Sequence, residues 1–414
     1  MIGQTIIQIL TAVTGLLLLR WMTLEAYAQY SVIFGFQCTL SAFVDLGVSG
    51  SIIGLVGPRG EKPEIVGAYV ACARWYRVLF SAIAFPISMM IFLWIGKKHG
   101  WQVSYQLLIF GIMAASVYFQ AWTSWYTAPL IIRHEVASVY RIGCLANAGR
   151  LLACSISHLV GLLGVLSVSI FNTVSVIWSG WTYSKLASPY LIIPEHSSVE
   201  NRREMFTYLA PIIPGSVFYA LQGQLSLFLI SIFGRSHNIA EVAALGRLGQ
   251  IFTIIGALNG ALIAPMFARL HTSLLPRRYL QVIGLALIAS ILLITLASIF
   301  PWLFLWILGN KYLHLGSDVG IMAAGSCASL VANTMWTIHS ARKWIFWSGT
   351  VVYIAATVVI QAIGIGFLNL NTTRSVLLFG MATSFTLLLT QIPVAWLGFA
   401  KESHGTVILS PSSI

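Results

Sequence analysis

The stretch from Lys185 to Glu204, KLASPYLIIPEHSSVENRRE, is the longest hydrophilic segment between apolar runs in this chain. Six apolar runs precede it, near residues 2–19, 28–55, 77–96, 103–124, 137–160 and 164–183. Six follow it, near 206–233, 241–266, 279–308, 318–340, 345–368 and 373–397. Each run approaches or exceeds the roughly 20 apolar residues that a helix needs to cross a bilayer. The predicted fold class is an all-α polytopic membrane protein, with twelve transmembrane helices in two six-helix halves around a central cavity. The expected organisation is an N-terminal half over 1–184, a cytoplasmic linker over 185–205, a C-terminal half over 206–400 and a short cytoplasmic tail over 401–414.

Composition supports the same class. Of 414 residues, 58% are hydrophobic and 8% charged, against about 25% charged in a soluble domain. Such a chain cannot cover a water-facing surface, which excludes a soluble enzyme of several domains. Lys+Arg 23 against Asp+Glu 11 gives a formal net charge of +12. In a soluble protein that excess points to nucleic acid; here most of it reads as topology, and no nucleic-acid partner is expected. With the N-terminus inside, cytoplasmic connections hold Arg59, Lys62, Arg74, Arg77, Arg133, Lys185, Arg202, Arg203, Arg269, Arg277, Arg278, Arg342, Lys343 and Lys401. The opposite side holds only Arg20, Lys97, Lys98, Arg235, Lys311 and Arg374. The positive-inside rule therefore puts both termini in the cytoplasm. Trp21, Trp75, Trp101, Trp125, Trp181 and Trp344 stand at span ends, where amphipathic rings favour the interface.

The first run lacks a basic lead-in and a small-residue cleavage site, so it reads as a retained helix and not a signal peptide. An amphipathic stretch from Glu64 to Tyr76 is expected to lie along the membrane surface before span three. Cys38, Cys72, Cys144, Cys154 and Cys327 are scattered, and no pair has metal-ligand spacing, so neither a disulfide framework nor a metal site is expected. The halves also echo one another. Arg20 is followed by Glu25 after span one, and Arg235 by Glu241 after span seven, each Glu opening the next helix. Two halves of like orientation are parallel repeats, and transporters of that build carry substrate between them.

Placing the other basic residues in loops leaves Arg141, Arg150 and Arg247 within spans, with Asp45 as the acidic residue well inside one. Charge at membrane depth is costly and faces a partner or a wet cavity. Arg141 lies near a helix end, where it can snorkel to the interface. Asp45 has two readings, a local pair with a cation such as Arg59 and a role in coupling or gating. For Arg150 and Arg247 the readings are an internal ion pair and a cationic cavity. Three such cations against one anion cannot all be paired, and an anion such as a phosphate suits the forked donors of arginine. Prolines are expected to break spans at Pro86, Pro301 and the pair Pro211 and Pro214, the last a candidate hinge or a static kink. Gln222, Gln224 and Asn259 are candidates to line a sugar-sized route, or to bond between helices. No phosphate loop, zinc-protease helix or nucleophile elbow occurs, so no enzyme activity and no cofactor are expected.

The segments Arg20, Glu25-Ala-Tyr27-Ala28-Gln-Tyr30, Asp45-Leu46-Gly47, Ala244-Leu-Gly-Arg247-Leu-Gly-Gln and Ala264-Pro265-Met-Phe-Ala268 together resemble the motifs of Wzx-type oligosaccharide and polysaccharide flippases. That family is part of the superfamily that includes multidrug extruders. The chain departs from its pattern at Ala28, where Gly is usual, at Gln222 and Gln224, where many relatives keep an Asp, and in its short lead-in. The resemblance implies a flippase moving polyprenyl-pyrophosphate-linked oligosaccharide across the bacterial inner membrane by alternating access, for O-antigen or capsule assembly. Arg150 and Arg247 would then meet pyrophosphate. Implied partners are the lipid-linked substrate, membrane lipids, a polysaccharide polymerase and a chain-length regulator. The alternatives are a proton- or sodium-coupled multidrug antiporter of the same superfamily and a membrane-embedded polysaccharide polymerase.

Overall fold

The computed structural model describes residues 2–407, except 57–61, 134, 196, 211, 259–261, 264–265, 268–269, 343 and 345. Among these residues there is helix and no strand. In hydrocarbon each backbone N–H and C=O must be satisfied within the protein, and a helix does this inside one segment. Nine of the helices are long and apolar enough to cross a membrane, or ten if one bent pair is a single span. The protein is a multi-pass membrane protein of the all-α class.

The helices in residues 2–240 are α1 (Ile2–Trp21), α2 (Leu24–Asp45), α3 (Val48–Val56), α4 (Pro63–Lys98), α5 (Val103–Ile132), α6 (Val136–Leu159), α7 (Val165–Ala187), α8 (Val199–Leu209), α9 (Ile213–Gln222) and α10 (Leu225–Phe233). Then α11 (Ser236–Leu258) leads into α12 (Leu275–Ile299), α13 (Pro301–Leu308), α14 (Gly316–Ala341), α15 (Trp347–Phe367) and α16 (Thr373–Val407). Packing gathers the chain into two compact units, 2–240 and 241–414. In the first, α5 packs on α7 and α4, α1 on α6, and α2 on both α4 and α5. In the second, α14 packs against α12 and α16, and α15 against α16.

Several sequence expectations change here. The stretch from Glu64 to Tyr76 is not a segment separate from span three; it is the first third of α4, continuous through Lys98. Its Val66, Tyr69, Val70, Cys72, Ala73 and Tyr76 are buried against Val48 and Ile52 of α3 and Met205 and Leu209 of α8. An amphipathic pattern says that one face is apolar and leaves open whether lipid or protein covers it. Pro86 does not break its span, since α4 runs through it. Pro301 does, opening α13 directly after α12 ends. Arg77 is no loop residue; it lies inside α4 with its side chain 2% exposed. The Glu echo also fails: Glu25 lies exposed in the first turn of α2, whose N-cap is Thr23, whereas Glu241 stands more than one turn into α11 and is 4% exposed. There it accepts from Thr373 and contacts His314 at 2.5 Å.

The hydrophilic stretch 185–204 is held closely to the first unit. The amide of Ile192 donates to the carbonyl of Pro63 at 3.2 Å, and the Tyr76 hydroxyl to the carbonyl of Arg202 at 2.9 Å. Tyr69 donates to the carboxylate of Glu204, and the Arg202 guanidinium stacks 5.0 Å from the Trp75 ring. Gly67 makes this docking possible, because a Cβ there would lie 1.8 Å from the carbonyl oxygen of Ile192. That neighbour is backbone and cannot swing aside. Gly67→Ala is therefore expected to lift this segment from α4 and raise trypsin cleavage after Arg202 and Arg203 in detergent-purified protein. Cleavage at the wild-type rate would show that the contact does not hold the segment.

Candidate functional site

Gln37, Ser41, Asp45 and Ser49 recur every four residues from α2 into α3, and Ser116, Gln120 and Ser124 recur likewise on α5. Four-residue spacing keeps side chains on one helix face, so two polar stripes run along neighbouring helices. They are joined by bonds from Gln37 Nε2 to Ser116 Oγ at 2.9 Å and from Ser41 Oγ to Gln120 Oε1 at 3.0 Å. At Ser116 the network continues to Asn172 of α7, whose Nδ2 donates to the serine at 3.2 Å. Asn172 Oδ1 in turn accepts from Arg150 Nη1 of α6 at 2.8 Å. A continuous chain of polar groups thus links four helices through the interior of the first unit.

The other end of the stripes is an ion pair. Arg77 of α4 gives Nη2 to Asp45 and Ser49 and Nη1 to the Ala121 carbonyl at 2.6 Å. Its guanidinium also lies 5.9 Å from the centre of the Trp125 ring, a cation–π contact. Asp45 accepts as well from the hydroxyl and the amide of Ser49, at 2.5 and 3.1 Å. Local backbone sets this up: Leu46 and Gly47 both take positive φ, 36° and 88°, which turns the chain sharply from α2 into α3. A left-handed leucine costs on the order of 1–3 kcal/mol, and here it brings the first turn of α3 over the Asp45 carboxylate. The pair borders a cavity of about 290 Å³ lined also by Ser41, Gln120 and Ser124. Arg77 is sealed behind the carboxylate, whereas the Asp45 side chain is 37% exposed. Water or a proton can therefore reach the anion and not the cation.

Of the residues singled out in the sequence, Asp45 and Arg150 are joined to this polar array at its two ends. Asp45 pairs with Arg77; Arg59, its suggested partner, lies outside the described residues. Arg141 stands exposed at the start of α6. Arg247 is buried in α11, 7% exposed, and belongs to the second unit. Gln222 ends α9 and Gln224 precedes α10, at a 50° bend between those two helices. The oxygen of Gln224 lies against Gly35 of α2, 3.3 Å from where a Cβ would be. Pro214 sits in the first turn of α9, where a missing N–H costs nothing, while Pro211 and Asn259 lie outside the described residues.

The expected surplus of buried cations does not hold. Among the described residues the buried charged side chains are Arg77 and Arg247, with Glu241 and Asp318 as buried carboxylates. Hydropathy runs end at charges, which is why sequence alone puts Arg77 in a connection and Glu241 at a helix start and does not single out Asp318. The four-residue polar spacing on α2 and α5 was legible, but apolar neighbours hid it in any windowed average.

No protein-family model matches the chain, and no curated protein matches it. Solved structures do. An inward-facing multidrug resistance MATE family transporter of the MOP superfamily aligns over 97% of this chain and 96% of its own, at 11% identity and TM-score 0.65. The lipid II flippase MurJ, in an inward closed conformation, aligns over 98% of this chain and 90% of its own, at 12% identity and TM-score 0.69. The fold is that of MATE transporters and MurJ. A MATE structure in the bent conformation has 13% identity and TM-score 0.59. Identities this low establish the MATE/MurJ fold, with its two halves, and leave function to the chemistry of the side chains.

Removing Asp45 leaves the buried Arg77 charge uncompensated, at a cost below the roughly 3–5 kcal/mol of a fully buried pair because the carboxylate side is open to water, whereas removing both is close to neutral. Asp45→Asn is therefore expected to lower the melting temperature strongly, and Asp45→Asn with Arg77→Met to recover most of the loss. A double variant no more stable than the single one would show that the pair is not what holds α2, α3 and α4 together.

Proposed function

We propose that this protein is a flippase that carries a polyprenyl-pyrophosphate-linked oligosaccharide across the bacterial inner membrane by alternating access, for O-antigen or capsule assembly. One observation supports an anionic cargo above all. Arg150 stands about 21 Å along α6, more than halfway from its start. Among the described residues its hydrogen-bond partner is the neutral amide of Asn172, its Nε has no partner, and no carboxylate pairs with it. A guanidinium held at depth by a neutral group keeps its charge for something that arrives, and a phosphate is its best geometric match. Arg247 in α11 is the second residue proposed to contact the pyrophosphate. Gln222, Gln224 and Asn259 are proposed to meet the sugar, with Pro211 and Pro214 as the hinge. In this reading Asp45 gates or couples transport, because protonation from the cavity would release Arg77.

The reading also assigns both termini to the cytoplasm, on the strength of the basic residues counted along the connections, and a polymerase and chain-length regulator as partners. It keeps residues 185–205 as the connector between six-helix halves. The drug or cation antiporter remains the second reading, because the MATE fold match is of similar quality and Asp45 is a protonatable group on a cavity. The two readings differ in the sign of the cargo. Arg150→Ala and Arg247→Ala are expected to abolish surface polysaccharide while the protein stays folded in the membrane, with Arg150→Lys partly active. Normal polysaccharide in both alanine variants, together with altered efflux of cationic dyes, would favour the antiporter instead.

A further inference from the structure

Arg141 is an exposed cation of α6 that the polar network does not use. It lies on α6 nine residues before Arg150, a spacing that turns it to the opposite side of the helix. Among the described residues it makes no hydrogen bond and no ion pair. Helices α6 and α7 run antiparallel side by side, so the start of α6 meets the end of α7. There Arg141, Lys185, Ser138, Thr182, Ile142 and Leu186 enclose an open cavity of about 440 Å³. The two hydroxyls are already donating, Ser138 to the carboxylate of Glu135 at 3.1 Å and Thr182 to the carbonyl of Trp178 at 2.8 Å. The Lys185 ammonium lies 3.6 Å from the centre of the Trp181 ring. What the cavity offers a ligand is therefore two cations beside an interfacial aromatic ring, with one carboxylate, Glu135, behind Ser138, so that the local balance stays cationic.

Both helices continue from this cavity as exposed apolar stripes. On α6 these are Leu145, Leu152 and Ile156, at helical spacing from Arg141; on α7 they are Val174, Trp178 and Trp181, leading to Lys185. A molecule matching this surface has an anionic head and long apolar chains. We propose that the groove between α6 and α7 binds an anionic phospholipid, with Arg141 and Lys185 on its headgroup phosphate and its acyl chains along the two stripes. Basic pockets between membrane helices are suited to such heads, and long basic side chains reach the headgroup level from a helix end. The site is separate from Arg150 and does not depend on which cargo the protein carries.

The test is lipid retention by the full chain in mild detergent, read by native mass spectrometry. Phosphatidylglycerol and phosphatidylcholine of identical chains are supplied in competition. Preferential retention of phosphatidylglycerol is expected, on the order of tenfold for two basic residues. The Arg141→Gln/Lys185→Gln variant is expected to lose the preference, and Arg203→Gln, a cation outside the groove, to keep it. The charge-preserving Arg141→Lys/Lys185→Arg variant should also keep it, which separates loss of charge from loss of fold. Equal retention of the two lipids, or an undiminished preference in the glutamine variant, overturns the proposal. Displacement of the lipid by inorganic phosphate alone overturns it too, since the cavity would then be a site for free anions.

Discussion

Inside a hydrocarbon layer no water completes a hydrogen bond, so every polar group this chain carries into its helices must find its partner within the protein. The backbone meets that demand by coiling. Hydroxyls can meet it by donating to a carbonyl one turn back, as Thr14, Ser31 and Ser155 do; amides and charged groups face one another across helix contacts, and those among α2, α4, α5, α6 and α7 are arranged around that need. Gln37 finds Ser116, Ser41 finds Gln120, and Asn172 bridges Ser116 to Arg150. Moving any of these helices by one turn would strand several polar groups at once, each at a cost of several kcal/mol. The network therefore fixes register in a bundle whose apolar surfaces, equally at home against lipid, specify little.

Charge follows the same rule with higher stakes. Arg77 is sealed among Asp45, Ser49, the Ala121 carbonyl and Trp125, which satisfies both terminal nitrogens and balances its charge, though its Nε has no partner. Arg150, one network away, has a neutral partner in place of a carboxylate. Within this network one guanidinium thus has a carboxylate partner and one has a neutral amide. The first fits a structural clamp that a proton could open through the accessible side of Asp45. The second is the residue on which the proposed anion-carrying reading rests, within a fold shared with MATE transporters.

Much of this protein was legible residue by residue. Among the described residues the apolar runs correspond to helices or broken helices, the break at Pro301 falls where expected, and Asp45 and Arg150 stand in the polar array. The misreadings have a common origin. Hydropathy runs stop at charged residues, so Arg77 was assigned to a loop although α4 continues past it on both sides. The same habit set Glu241 at a helix start and cast Glu64 to Tyr76 as a surface segment. A run of apolar residues shows that a segment can enter the membrane, but a charge does not show that it must leave.

The sequence by itself determined the membrane setting and the all-helical class. Both follow from composition and the length of apolar runs, which are properties of single segments. Tertiary structure alone decided which charges are buried, which are paired, and that the hydrophilic stretch 185–204 is docked on α3 and α4. Those depend on pairs of residues far apart in the chain, such as Asp45 with Arg77 or Gly67 with Ile192, and no local pattern encodes a partner's position. The physical reason is that transfer into a bilayer is a sum over one helix, whereas satisfaction of a buried polar group is a property of two.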